Sequence, residues 1–181
     1  REINVADFDL IYAGAQKNMG PAGTTLYLVK DEVLGKSTSA FMPTYLDLKT
    51  HADKESMFNT PPVFPVYASM LNLRHLIANG GVKSAQTRNE AKAALLYNEI
   101  DNNPLFEGTV AKEDRSNMNV TFLMNDESRT DEFNALWQNN DIVGLKGHRS
   151  VGGFRASMYN ALPMESVQVL VGLMRDFSNK G

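Results

Sequence analysis

The sequence predicts an α/β chain in two parts, residues 1–85 and a small α+β domain over 86–181. Three observations carry this. Two apolar segments flank a Gly/Pro-rich turn near the start, two long helical stretches meet around residue 81, and from residue 118 the order reads strand, helix, strand, strand, helix. FDLIYAG (8–14) is apolar enough for a buried strand, and TTLYLVK (24–30) alternates like its neighbour, with Asn18, Gly20, Pro21 and Gly23 supplying turn chemistry between them. Lys17 therefore sits on a loop at a strand edge. Residues 44–57 are polar and irregular. FNTPP (58–62) then leads into a helix with apolar residues at Val66, Met70, Leu73 and Ile77, which stops at Gly80-Gly81.

A second helix follows over about 82–102, with Ala91, Ala94, Leu95 and Ile100 available for a buried face; the domain boundary falls inside it, near Ser84 to Ala91. Strands are expected at 118–124, 142–147 and 154–161, and helices at 131–140 and 164–178. Trp137 and the methionines at 118, 124 and 158 fit core packing.

Composition excludes several classes. In 181 residues, 43% hydrophobic and 22% charged content is that of a globular protein, and a net charge of −3 argues against an electrostatic grip on nucleic acid. The absence of cysteine rules out disulfides and thiolate zinc sites and fits a reducing, cytoplasmic compartment. No apolar run is long enough to span a bilayer, and Arg1-Glu2-Ile3-Asn4 does not begin a signal peptide. A first residue other than Met suggests a chain cut from a longer one. His51, expected exposed on a polar loop, and His75, on a helix, have no metal-ligand partner at usable spacing, so no metal is expected.

Three stretches carry chemistry. In YAGAQKNMG, Ala13, Gly14, Ala15 and Gly20 leave room for a flat ring beside Lys17. A lysine amine condenses with a carbonyl cofactor when desolvation or a cationic neighbour favours its neutral form. Taken alone, the loop fits an exposed turn lysine more often than a catalytic one. GHRSVGGFRASMYNALP (147–163) gathers His148, Arg149 and Arg155 around a glycine pair, and arginine suits a bidentate grip on carboxylate or phosphate. Spacing alone favours surface arginines beside a loop histidine. Asn59 and Thr60 could offer side chains and backbone N–H groups to an anion at a helix start, or serve as an ordinary cap. Together the three match what a phosphorylated carbonyl cofactor and a carboxylate substrate require.

In this order YAGAQKNMGPAGTTLYLV, FNTPP and GHRSVGGFRASMYNA resemble the phosphoserine aminotransferases, pyridoxal-phosphate enzymes of the aspartate-aminotransferase fold type, over essentially the whole chain. The resemblance is to the C-terminal half of such an enzyme. It implies that residues 1–85 end the large cofactor-binding domain and that 86–181 form the small C-terminal domain. It implies pyridoxal 5'-phosphate as cofactor, Lys17 as the lysine that holds it and moves the substrate proton, and Gln16 as a cofactor-phosphate ligand. Asn59 and Thr60 would reach the cofactor phosphate of a neighbouring subunit, giving a homodimer with shared sites. Arg155 would bind the substrate α-carboxylate; His148 and Arg149 would receive the distal phosphate or carboxylate. The implied partners are glutamate, 3-phosphohydroxypyruvate and O-phosphoserine, in serine biosynthesis, with no nucleic acid and no membrane.

The family's aspartate at the pyridine nitrogen and its ring-stacking aromatic are expected upstream of residue 1, so this stretch by itself is expected to be a poor catalyst. Asp7 and Asp9 lie too near Lys17 to replace that aspartate. Another enzyme of the same fold type, or a non-catalytic chain that folds, dimerises or binds anions, are the alternative readings.

Overall fold

The computed structural model describes residues 1–36 and 39–180, and the chain divides into two compact units, 1–82 and 83–181.

In the first unit β1 (Leu10–Gly14) pairs antiparallel with β2 (Thr25–Val29), placing Tyr12 opposite Tyr27 with the two rings stacked at 6.2 Å. The expected irregular stretch holds a short helix, α1 (Leu48–Ala52), because the Asp47 carboxylate accepts from the Lys49 N–H at 3.0 Å and caps it. This also corrects the reading of His51. It lies half-buried on α1, with Nε2 2.7 Å from the Tyr45 carbonyl oxygen and its ring edge-on to Tyr45 and Phe58. α2 (Val63–Ala78) begins after Pro61-Pro62, and Asn79 closes it by donating from its side chain to the His75 carbonyl at 2.8 Å.

The strand over 8–14 was expected to be buried, and it is not. Among the described residues of this unit only Ala15 and Ser69 are buried, while Tyr12 is 70% exposed and Phe64 and Ile77 are each 73% exposed. A two-stranded sheet and a helix that is apolar on all sides have no third layer here to cover them.

The second unit has a full core. α3 (Gly81–Asn102) leads to a three-stranded antiparallel sheet, order β3-β4-β5, from β3 (Phe106–Gly108), β4 (Asn119–Met124) and β5 (Phe154–Ser157). α4 (Thr130–Gln138) falls between β4 and β5, and α5 (Met164–Asn179) ends the described chain. Phe133 of α4 lies at the centre, its ring 5.2 Å from each of Phe106, Phe154 and Phe177. Trp137, Met124 and Met158 are buried in this core, whereas Met118 is half-buried.

Three expectations need correction, and one element was not expected: β3 is too short, at three residues, to show a pattern. The strand expected at 142–147 is reduced to one bridge, Lys146 to Phe154, with the Arg155 N–H donating to the Leu145 carbonyl at 2.7 Å. β5 stops at Ser157 rather than 161 because the following carbonyls bond to a side chain, not to a strand. On α3 the buried face is Ala85, Asn89, Lys92, Ala93, Leu96 and Ile100, leaving Ala91 and Ala94 exposed.

A polar clip fastens the loop before β4 to α3. The Arg115 guanidinium donates to both oxygens of Asp101 (Nη1–Oδ2 2.8 Å, Nη2–Oδ1 2.6 Å) and lies 4.4 Å from the Tyr97 ring centre, while Lys112 Nζ adds a 3.4 Å pairing to Asp101. The hydrogen bonds from Arg115 are the main cause that holds the Asp101 carboxyl below its ordinary range. A carboxyl depressed in the folded state stabilises the fold fully above its unfolded pKa, near 4, and loses that contribution as pH falls through the lower folded value. Asp101→Asn should therefore flatten the acid side of the stability–pH curve below about pH 4, read as Trp137 fluorescence against pH. An unchanged acid limb would show that the clip contributes nothing to stability.

Candidate active site

The loop that carries Lys17 is held on α2 by absent side chains. A Cβ on Gly20 would lie 2.5 Å from Ser69 Oγ, and one on Gly23 would lie 2.7 Å from Pro65 Cγ. Asn72 Nδ2 donates to the Asn18 carbonyl at 2.7 Å, and the Thr24 and Ser69 hydroxyls are 3.5 Å apart. Pro65, Ser69 and Asn72 follow one another at helical spacing along one face of α2, so the loop is docked against a single rigid surface. Docking buries Ala15, whereas Gln16 and Lys17 are exposed. The close approach thus belongs to the glycines and not to the lysine, since the small residues are the ones that meet the helix.

Asn59 and Thr60 do not cap α2. The N-cap is Pro62, with no side-chain cap hydrogen bond, and among the described residues neither Asn59 nor Thr60 has a partner within the chain. The helix start is also a weaker anion site than expected from a generic N-terminus: Pro65 has no N–H, and the Val66 N–H already donates to the Pro62 carbonyl at 3.2 Å. Val63 and Phe64 supply the N–H groups left in the first turn. Side chains rather than a helix end would have to carry the recognition.

In the second unit residues 147–153 form a hairpin between the bridge segment and β5. The Gly147 N–H donates to the Gly153 carbonyl at 2.8 Å, and the Val151 and Gly152 N–H groups both donate to the His148 carbonyl, at 3.0 and 2.8 Å. Gly153 has φ +63°, and a Cβ there would lie 2.7 Å from the Phe122 carbonyl oxygen and 2.5 Å from Leu123 Cδ2. The hairpin base can press on β4 only without a side chain.

The tip presents His148, Arg149 and Ser150, all exposed. The Ser150 N–H donates to His148 Nδ1 at 3.3 Å, and the Ser150 hydroxyl lies 2.7 Å from the same nitrogen. A ring nitrogen that accepts an N–H carries no proton, so the neutral imidazole has its hydrogen on Nε2, as a donor. Arg155 projects from β5 into a cleft of about 350 Å³ lined also by Asp141, Leu145, Ser157 and Leu170. Among the described residues neither Arg149 nor Arg155 has an acidic partner or a side-chain hydrogen bond. Asp141 shares the cleft with Arg155, a carboxylate that the sequence reading did not single out.

The profile of the class-V aminotransferases matches residues 1–170. The chain belongs to this family. Within it, the chain is 59% identical over 180 residues to a phosphoserine aminotransferase of Flavobacterium psychrophilum, covering 99% of this chain and 50% of that protein. Against the phosphoserine aminotransferase of Bacteroides thetaiotaomicron identity is 54% over 179 residues, 98% of this chain and 50% of the relative. Among solved structures, a phosphoserine aminotransferase from Bacillus circulans subsp. alkalophilus superposes with a TM-score of 0.93 at 40% identity, over 99% of this chain and half of that one. The pyridoxal-phosphate-bound enzyme of Trichomonas vaginalis gives 0.89 at 35% identity, over 97% of this chain and half of that one. The chain spans about half the length of the curated relatives it matches.

The hairpin geometry separates two adjacent glycines. Gly153→Ala would force an L-residue to φ +63° and push its methyl against backbone, so it should cost about 1–3 kcal/mol and displace the tip. Gly152→Ala, at φ +76° with nothing within 4 Å of the added carbon, should cost about 1 kcal/mol and leave the tip in place. Denaturation midpoints with anion-binding titrations distinguish the two, and equal losses would mean that the approach to β4 does not set the hairpin.

Proposed function

We propose that the whole protein is a phosphoserine aminotransferase, moving an amino group from glutamate to 3-phosphohydroxypyruvate to give O-phosphoserine and 2-oxoglutarate, in the cytoplasm. The observation that carries this is the uncommitted set of cations: Arg149 and Arg155, on a hairpin tip and on the strand that follows it, have no acidic partner among the described residues. Cations kept unpaired are what a substrate with two anionic ends needs. The curated relatives reported above, matched over half of their own length and named as phosphoserine aminotransferases, support the reading.

The cofactor in this reading is pyridoxal 5'-phosphate, and the residues present fit it. Gln16, on the lysine loop docked on α2, and Asn59 and Thr60, just before α2, are polar side chains with no partner among the described residues. When bound, the cofactor supplies the electron sink that stabilises a carbanion at the substrate α-carbon. Lys17 is the residue that would hold it through its amine, and that amine would carry the proton to and from the substrate α-carbon. Gln16 donates to the phosphate, and Asn59 and Thr60 do so for the neighbouring subunit, so that each site of a homodimer draws on both chains. Arg155 grips the α-carboxylate. Arg149 and the Nε2–H of His148 receive the distal group, phosphate in one half-reaction and carboxylate in the other. One pocket then serves both substrates in turn. In this reading residues 1–85 complete the large cofactor-binding domain and 86–181 form the small one.

Two measurements test it. Borohydride reduction of the pyridoxal-phosphate-loaded protein followed by peptide mapping should find the adduct on Lys17; an adduct on Lys30 or Lys36 would overturn that role. Half-reactions of phosphoserine, glutamate and alanine, followed spectroscopically, separate the arginines. Arg155→Ala should lower kcat/KM for all three alike, by about 2–5 kcal/mol for a desolvated pair. Arg149→Ala should harm phosphoserine most, glutamate less and alanine barely, because only the first two bring a distal charge that loses its partner. Equal losses for alanine and phosphoserine would show that Arg149 holds the fold or the cofactor and would remove the support for phosphoserine.

A further inference from the structure

Lys92 is 2% exposed on the sheet-facing side of α3, and it is not part of the set described above. Its ammonium donates to three backbone carbonyls at once, Met158 (3.0 Å), Tyr159 (2.9 Å) and Leu162 (3.0 Å). An ammonium has three N–H donors and no acceptor, so the group is saturated and nothing remains with which it could attack or take a proton. Burial, with the nearby charge of Arg88, pushes its pKa down from the ordinary lysine value. A cation is kept in the interior here against that cost, and all three carbonyls lie in one five-residue segment.

That segment begins three residues after Arg155. The strand carrying Arg155 is short, four residues, and among the described residues its outer edge is held by the Leu145 carbonyl and one bridge. Beyond Ser157 its direction is set by one main-chain bond, from the Met158 N–H to the Met118 carbonyl at 2.7 Å, and after that by side chains. Lys92 takes the carbonyls, Asn89 one helical turn earlier donates to Asn160 Oδ1 at 2.7 Å, and from β4 Asn119 donates to the Tyr159 hydroxyl at 3.1 Å and accepts from Ser157 Oγ at 3.2 Å. With the Lys92 bonds broken, one buried and two half-buried carbonyls would lose their partner together, and the segment after β5 would be left with the Met158 N–H to Met118 bond and the Asn89 and Asn119 contacts.

We propose that Lys92 is a positioning residue for Arg155: its tripod of hydrogen bonds to 158–162 fixes the end of β5 and so the placement of the guanidinium on the substrate carboxylate. This rests on the carboxylate-binding role given to Arg155 above. Displacement by a fraction of an ångström is enough to weaken a bidentate contact, and misplacement of about 1 Å costs up to about 100-fold in a reacting geometry.

The test is a double-mutant cycle in the whole, cofactor-loaded protein, reading the dissociation constant of glutarate by calorimetry. Glutarate has two carboxylates and no amine, so no turnover intervenes. Lys92→Met, which keeps the stem and removes the donors, should weaken glutarate about tenfold or more, Arg155→Ala should weaken it too, and the double variant should be no weaker than Arg155→Ala alone. Coupling of this kind shows action through Arg155, whereas a merely structural role would leave the two losses additive. Lys92→Gln, which keeps two donors, replaces Met in the same cycle if the Met variant does not fold. Unchanged glutarate affinity in a folded Lys92 variant, or additive losses, overturns the proposal while leaving Arg155's role intact. Unchanged affinity in Arg155→Ala removes the carboxylate role itself, and the proposal with it.

Discussion

The second unit depends on the packing of one aromatic ring. Phe133 touches Phe106 on β3, Phe154 on β5 and Phe177 on α5, and Phe106 and Phe154 in turn meet Phe122 on β4 at 5.7 and 5.1 Å. Every strand of the sheet and two of its helices are therefore referred to a single cluster. A core packed at crystal-like density transmits displacement instead of absorbing it. Phe154 is the residue between Gly153, which pins the hairpin to β4, and Arg155, so the same ring that closes the core also sets where the hairpin leaves the sheet.

The first unit is organised on another principle. Its hairpin and α2 bury very little, and the Lys17 loop is fixed by close approach of glycines to Ser69 and Pro65 and by the bond from Asn72 to the Asn18 carbonyl. Such contacts define position but add little hydrophobic stability, which is proportional to apolar area removed from water. The apolar side chains left exposed on β1, β2 and α2 form a surface of the kind that marks a contact face.

Charge is handled differently on the surface and inside. Asp101 and Arg115 form a bidentate clip at the periphery, while the interior of α3 contains Lys92, with all three donors used, and Glu99, with a partner on each oxygen. Glu99 accepts from Asn103 Nδ2 at 2.9 Å and from Arg175 Nε at 2.6 Å, and Lys92 is met by carbonyls alone. Asp101 and Lys92 each fasten a loop to α3 and Glu99 fastens α5 to it, and in each case the energetic weight lies in what would be stranded if one partner were lost. Arg149 and Arg155 have no such partners among the described residues, a state they share with Arg74; what sets them apart is their place on one hairpin and the strand that follows it.

Much was legible in the sequence because it is local. The hairpin around Lys17, the helix between Pro62 and Gly80, the strand at 119–124 and the final helix follow from turn residues and from apolar periodicity, and the motifs carrying Lys17, Asn59, Thr60, His148, Arg149 and Arg155 could be read as units. What tertiary structure alone decided is where polarity and burial part company. Asn89 and Lys92 sit on the buried face of α3 because carbonyls and an amide from residues 158–162 come to meet them, and a pattern that equates burial with apolarity turns the helix to Ala91 and Ala94 instead. The apolar strand at 10–14 is exposed for the converse reason, that burial needs a covering layer which no stretch of its own sequence can announce. Sequence determines which groups a segment can offer; only the fold determines which of them find a partner.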